Sequence, residues 1–308
     1  MGYPPLIVVV GPTAAGKTAL SIQLAMALEG EIVSADSRQI YQGMDIGTAK
    51  ASPAERALVP HHLLDLVTPA EVLSVAEYQR LAYAAIADIH RRGRLPFLVG
   101  GTGQYVRAVI GGWTIPAVPP QPALRAQLEA LARTEGAAAL HARLAALDPV
   151  AAARIDHRNI RRVIRALEVC MVTGRPISEL QHKSPPPYRI FQLGVTRPRQ
   201  ELYARIDARV DQMIAQGLVA EVERLAAAGF GWDLPAMTGL GYRQIGQYLR
   251  GEISLDEAVK RIKKETRRLV RQQYNWFRLD DPAIYWINPD EVPLEELVAR
   301  LRAFCVQP

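Results

Sequence analysis

Cysteine is nearly absent from the 308-residue chain: only Cys170 and Cys305 occur, far apart and outside Cys-x-x-Cys spacing. That excludes a disulfide framework and a thiolate zinc site, and leaves both residues as small hydrophobes. No apolar run approaches the ~20 residues that cross a bilayer, and the N-terminus leads into a strand pattern instead of a secretion signal. No membrane association and a cytoplasmic location are therefore expected. The adjacent His61 and His62 lack a third ligand at usable spacing, which makes them hydrogen-bonded loop residues in expectation.

Acid is missing from two stretches in particular. Arg154, Arg158, Arg161, Arg162 and Arg165 face the single Asp156, and Lys260, Arg261, Lys263, Lys264, Arg267, Arg268 and Arg271 face the single Glu265. A solvated helix face usually alternates in sign. These stretches do not, and with a net charge of +6 they point to phosphate-backbone binding. A third absence concerns the apolar run Leu95–Val99, which ends in Gly100-Gly101-Thr102-Gly103 where many nucleotide hydrolases place a metal-holding aspartate. Its glycines instead permit close approach of a bulky or apolar group, with the Thr102 hydroxyl at the mouth.

What is present is organised around Gly11-Pro12-Thr13-Ala14-Ala15-Gly16-Lys17-Thr18, which follows the apolar run Leu6–Val10 and precedes a helical pattern with Leu20, Leu24 and Leu28. Strand, glycine loop and helix in this order form a P-loop. Gly11 and Gly16 let backbone N–H groups turn toward an anion, Lys17 reaches the outer phosphates and Thr18 is a candidate Mg²⁺ ligand. A second strand over Glu31–Ser34 places Asp36 at the carboxyl edge of a parallel sheet beside that loop, as a reacting group or as a turn residue. Ser74 and Glu77 form a capping-box pattern for a helix with Val75, Leu81, Ala85 and Ile89 on its apolar face.

With 49% hydrophobic and 22% charged residues, the length suits a core of about 200 residues plus a smaller module. Pro116, Pro119, Pro120 and Pro122 mark one hinge and Pro185–Pro187 another, with Ala/Leu/Arg-rich helical patterns between them. The expected architecture is α/β: a P-loop NTPase-like parallel sheet core with an all-helical insertion and a helical C-terminal region. Residues 1–112 form the first part of the core, 113–188 the insertion, and 189–308 the final strands and helical tail, including helices over Gln200–Ala228 and Leu255–Leu279.

Taken in order, GPTAAGKT, DSRQIYQGMDIGTAK, HHLLD, GGTGQYV and RRVIRALEV resemble the tRNA dimethylallyltransferases, also called tRNA isopentenyltransferases. The motifs span Gly11–Val169, and Gly241-Tyr242-Arg243-Gln244 with the basic helix is similar to bacterial members. The resemblance implies transfer of a dimethylallyl group from dimethylallyl diphosphate to the exocyclic N6 of the adenosine on the 3′ side of the anticodon. By the same resemblance, Gly11, Pro12, Thr13, Ala14, Ala15, Gly16, Lys17 and Thr18 hold the diphosphate with Mg²⁺, Thr18 being the metal ligand. Asp36 takes the N6 proton, Thr102 stands beside it in the catalytic site, and Asp36, Ser37, Arg38, Gln39, Thr102, Arg125, Arg161, Arg162 and Arg165 contact tRNA. Arg205 or Arg209 also meets the diphosphate, and Arg209 is the candidate taken forward. Gln42 stands where the family commonly has a basic residue and Gln104 where it has an apolar one. A monomer is expected.

Two other functions fit the P-loop. A nucleoside or small-molecule kinase would use ATP at the same cradle, with the insertion as its lid, but the missing aspartate and the basic helices count against it. A nucleic-acid-binding regulator would bind nucleotide without transfer chemistry.

Overall fold

The computed structural model describes residues 3–184 and 186–306; Pro185, within the second proline run, lies outside the described residues. The chain divides into two compact units, Met1–Ile110 with Pro187–Pro308, and Gly111–Pro186.

The first unit begins with β1 (Pro5–Val10), α1 (Lys17–Ala27), β2 (Gly30–Ser34), α2 (Pro53–Leu58), β3 (His61–His62), α3 (Val75–Arg91), β4 (Leu95–Val99) and α4 (Gly103–Ile110). The second unit holds α5 (Pro122–Thr134), α6 (Gly136–Leu147), α7 (Pro149–Arg154), α8 (Ile160–Thr173) and α9 (Ile177–Leu180). The chain then returns to the first with β5 (Arg189–Val195), α10 (Arg199–Ala215), α11 (Leu218–Ala227), α12 (Tyr242–Leu249), α13 (Leu255–Trp276), β6 (Ile284–Ile287) and α14 (Leu294–Val306).

The strands pair in the order β3-β2-β4-β1-β5-β6, and every pairing is parallel. Leu6–Val10 are fully buried, as a central parallel strand covered on both faces requires, which explains why β1 is a continuous apolar run and not an alternating one. The loops after β1, β2, β4 and β5 all leave the carboxyl ends of adjacent strands, where open α/β sheets bind their ligands. Around the sheet, α1 packs with α14, α3 with α4, and α10 and α12 with α13.

Several sequence expectations require correction. The helix expected over Gln200–Ala228 is broken into α10 and α11 at Gly217, whose φ of 98° is left-handed backbone that glycine adopts without strain. The basic helix stops at Trp276, three residues before Leu279. Beyond it, Ile284–Ile287 forms the edge strand β6 on β5, a four-residue run too short to stand out in a tail read as mostly helical. Helix α3 does carry the Ser74/Glu77 capping box. Its buried face, however, is Tyr78, Ala82, Ile86 and Ile89, because Tyr78 turns inward and its hydroxyl donates to the Ser34 carbonyl at 2.9 Å.

The helical unit has its own core, with Leu128, Leu140, Leu144, Val163, Leu167 and Val169 among its buried members. Its incoming and outgoing segments are tied by the Thr114 amide to the His182 carbonyl at 2.8 Å and the Ser184 amide to the Gly112 carbonyl at 2.9 Å. A Cβ on Gly112 would lie 1.6 Å from the Ser184 carbonyl oxygen, so that closure demands glycine.

Candidate functional site

The glycine loop turns through left-handed backbone at Ala14 and Gly16, with φ of 65° and 104°. Gly11 is packed so tightly that a Cβ would sit 2.1 Å from the Val195 carbonyl oxygen, which locks the loop to the end of β5. Lys17 Nζ folds back to donate to the Pro12 carbonyl at 2.8 Å and has no carboxylate in ion-pair contact among the described residues. Burial pushes its pKa down to about 8, opposed by the charge of Asp36 and assisted by that of Arg209. An ammonium so desolvated gains from any anion placed in the loop. The Thr18 side chain is exposed on the first turn of α1, with no hydrogen-bond partner for its hydroxyl among the described residues.

Three residues from the returning segment hold the loop in place. Arg197 Nε donates to the Ala15 carbonyl at 3.0 Å while its guanidinium pairs with Asp290 and Glu201. Arg205 Nε donates to the Ala14 carbonyl at 3.0 Å. Gln273, on the buried side of α13, accepts from the Thr13 amide at 2.9 Å and donates to the Gly101 carbonyl at 3.1 Å. The Thr13 amide thus already has a partner, and one side chain bridges the two glycine loops. Nothing in the motifs signalled Arg197 or Gln273; the available hint was a glutamine in register with the apolar positions Ile262 and Val270 of the helix. Arg209 differs from these, having no hydrogen bond or ion pair among the described residues, and burial and the neighbouring Arg205 lower its pKa.

Beside the cradle, the loop after β2 carries the second group of sequence candidates. Asp36 Oδ1 accepts from the Arg38 amide at 2.8 Å, which fixes its carboxylate and leaves the other oxygen without a hydrogen bond among the described residues. The Ser37 amide donates to Thr102 Oγ1 at 2.9 Å, and the Thr102 amide donates to the Ala35 carbonyl at 3.2 Å. A Cβ on Gly100 would lie 2.1 Å from that same carbonyl oxygen, so the β2 and β4 loops can meet only through glycine. Thr102 is therefore a brace for the Asp36 turn. Arg38 reaches the Pro235 carbonyl at 2.8 Å, and the Gln39 amide nitrogen reaches the Thr48 and Ala49 carbonyls at 3.3 and 3.2 Å. Gln42 donates to the Asp65 carbonyl at 3.1 Å, whereas Gln104 is exposed on α4. His61 and His62 are hydrogen-bonded to the Val59 carbonyl and to Glu31, and no cluster of metal-ligating side chains occurs among the described residues.

In the helical unit the four candidate arginines separate into two pairs. Arg161 and Arg162 are exposed at the start of α8, and their guanidiniums have no partner among the described residues. Arg125 and Arg165 both grip the fully buried Glu168, at 2.7 and 2.6 Å, while the Gln121 amide donates to it at 2.7 Å. Burial alone would raise the Glu168 pKa; those donors overcome it and hold it at about 2.

The sequence profile described as IPP transferase matches residues 39–280. The tRNA dimethylallyltransferase of Roseiflexus sp. is 62% identical over 274 residues, covering 89% of this chain and 90% of that protein. The tRNA dimethylallyltransferase of Chloroflexus aggregans is 56% identical over 294 residues, covering 96% and 99%. Among solved structures, the full-length tRNA isopentenylpyrophosphate transferase of Bacillus halodurans is similar with a TM-score of 0.72 at 42% identity, covering 98% of this chain and 95% of that one. A eukaryotic dimethylallyltransferase acting on tRNA gives a TM-score of 0.78 at 28% identity, covering 98% and 78%. With similarity of this extent over nearly the whole length, the chain belongs to the tRNA dimethylallyltransferases, the family of IPP transferases.

Proposed function

We propose that the protein transfers a dimethylallyl group from dimethylallyl diphosphate to N6 of the adenosine adjacent to the anticodon on its 3′ side. The observation that carries this reading is a desolvated Lys17, with no carboxylate in ion-pair contact among the described residues, set in an anion cradle beside the Asp36 carboxylate, whose charge acts on it. A leaving diphosphate needs the first and a weakly nucleophilic exocyclic amine needs the second. The N6 nitrogen attacks the allylic carbon, the carbon–oxygen bond to diphosphate breaks, and the N6 proton passes to the free oxygen of Asp36. Lys17 and Arg209 receive the charge that develops on the diphosphate. Arg205 is already committed to the loop backbone, which favours Arg209 for this role. The target base must leave its stack to reach this depth, as in other base-modifying enzymes.

The exposed, unpartnered hydroxyl of Thr18 on the first turn of α1 is the hard oxygen donor that Mg²⁺ prefers, and the diphosphate would supply further oxygens. Bound there, the ion would neutralise part of the leaving-group charge. The kinase reading has little support, because β4 is followed by Gly100-Gly101 and not by an acid.

Selectivity for the hydrocarbon must come from fit, and each extra methylene is worth only about 1–3 kcal/mol. Geranyl diphosphate adds five carbons, enough to clash. Transfer from dimethylallyl diphosphate is expected to be strongly preferred in a competition assay, and that substrate should raise the melting temperature more than ATP does; stronger protection by ATP would remove the reading. Thr102→Val keeps the shape but deletes the acceptor for the Ser37 amide. It is expected to lower kcat while leaving diphosphate affinity nearly unchanged, as separate titrations would reveal.

For the helical unit, Arg161 and Arg162 have the free guanidiniums that an anticodon stem requires. Removing one phosphate-binding cation lowers the salt slope of binding by roughly one unit. Replacing both by glutamine should flatten the slope by about two, and an unchanged slope in filter binding would move the stem site elsewhere.

A further inference from the structure

The pairing of β1 with β4 ends where the Gly100 amide donates to the Val9 carbonyl at 3.1 Å. Past that bond the two glycine loops leave the sheet, and the link between them is continued by Gln273, whose Oε1 accepts from the Thr13 amide while its Nε2 donates to the Gly101 carbonyl. A Cβ on Gly101 would lie 2.3 Å from that nitrogen and 3.5 Å from the Gly11 carbonyl oxygen, so the loops close on the carboxamide only because glycine stands there. The last turn of α13 grips the same end of the sheet twice more. The Tyr274 and Thr196 hydroxyls share a hydrogen bond of 2.7 Å just beyond β5, and a Cβ on Gly103 would lie 2.1 Å from Trp276 Cγ.

The two partners of Gln273 make opposite demands, since Thr13 offers an N–H and Gly101 a C=O. A carboxamide meets both without titrating, whereas a carboxylate only accepts and an apolar side chain leaves both groups unpaired. From Gly101 the connection passes to Thr102, whose amide donates to the Ala35 carbonyl and whose hydroxyl accepts from the Ser37 amide, on either side of Asp36. A continuous path of covalent and hydrogen bonds thus joins the anion cradle to the turn that carries the carboxylate.

We propose that Gln273 is a positioning residue for prenyl transfer, which sets the spacing between the leaving-group cradle and the Asp36 carboxylate by acting through the two loops. The inference rests on the function proposed above. Reacting groups must be held close to their attack geometry, and a shift of about 1 Å from a distant substitution can cost about 10²-fold in rate. Because Gln273 engages the Thr13 amide itself, that amide is withheld from the diphosphate in this arrangement. The contribution of Gln273 therefore falls on the transfer step and not on diphosphate affinity.

The test is Gln273→Met in the full chain, which keeps the length of the side chain and removes both hydrogen bonds. Single-turnover transfer at saturating substrates is expected to slow by about 10- to 100-fold. The Kd of dimethylallyl diphosphate should change by less than about threefold in a separate titration. In an Asp36→Asn background the same substitution should slow transfer by less than about threefold, because spacing to an absent base no longer counts. Gln273→Glu is the second variant: at about pH 8 its carboxylate still accepts from Thr13 but cannot donate to Gly101, and transfer should again be slow. A wild-type rate in either variant would overturn the positioning role. So would equal slowing with and without the Asp36 carboxylate, which is what a merely structural side chain would give. Failure of the wild type to transfer a prenyl group would count against the proposed reaction instead, and amide exchange would still decide the link: the Thr13 and Ser37 amides should exchange faster in Gln273→Met, and unchanged protection of Ser37 would overturn it.

Discussion

Asp36→Asn is expected to slow single-turnover prenyl transfer by about 10²-fold or more, the usual scale for loss of a positioned general base. The structure makes this a clean substitution. Asparagine retains an oxygen to accept the Arg38 amide, so the turn that Ser37 and Thr102 brace should persist. What disappears is the basic oxygen that would take the N6 proton. Diphosphate affinity should remain nearly intact, because the proposed anion ligands, the loop backbone, Lys17 and Arg209, are left in place. Rapid-quench measurement at saturating substrates separates the two effects. A rate close to wild type would reduce Asp36 to a loop residue.

Glu168→Gln is expected to destabilise the helical unit by about 2–4 kcal/mol, since removing the shared carboxylate breaks a buried network and leaves two arginines without their partner. The pH dependence follows from the sign of the shift. The folded-state carboxyl titrates at about 2, below its ordinary value of 4.5, so its stabilising effect is fully present above about pH 4.5 and is lost as pH falls toward 2. Hydrogen exchange on the full chain should show α5 and α8 opening more readily as pH drops through that window, after correction for intrinsic rates. In the variant, opening should be frequent at neutral pH and should respond less to acid. Equal protection in the two proteins at pH 7 would refute the bracing role. The same argument changes how arginine substitutions are read: loss of Arg165 or Arg125 mixes any effect on RNA with loss of this network, whereas Arg161 and Arg162 do not share it.

The parallel core was legible because β1 and β4 are apolar runs each followed by glycine, and because the cradle has fixed spacing. The loops of the candidate site were legible in their motifs, but the bracing of those loops was not. Gln273, Arg197 and Arg205 act on loops that lie more than 170 residues away in sequence, through side chains whose types are ordinary on a helix surface. The sequence could not distinguish Arg165, turned to Glu168, from Arg162, turned to solvent, because positions three apart on a helix differ by only about 60° and only packing reveals where the covered side ends. Strand β6 was missed for a different reason: four residues at a sheet edge give too little alternation to compete with the helical patterns around them.

The most direct test of the central claim is transfer from labelled dimethylallyl diphosphate to an anticodon stem-loop, followed by nuclease digestion and mass analysis of the nucleosides. The account predicts one dimethylallyl group on N6 of the adenosine 3′ to the anticodon, release of one diphosphate, and loss of both when Asp36 is asparagine. Label on a different atom or base, or ATP turnover at a comparable rate without prenyl transfer, would contradict it.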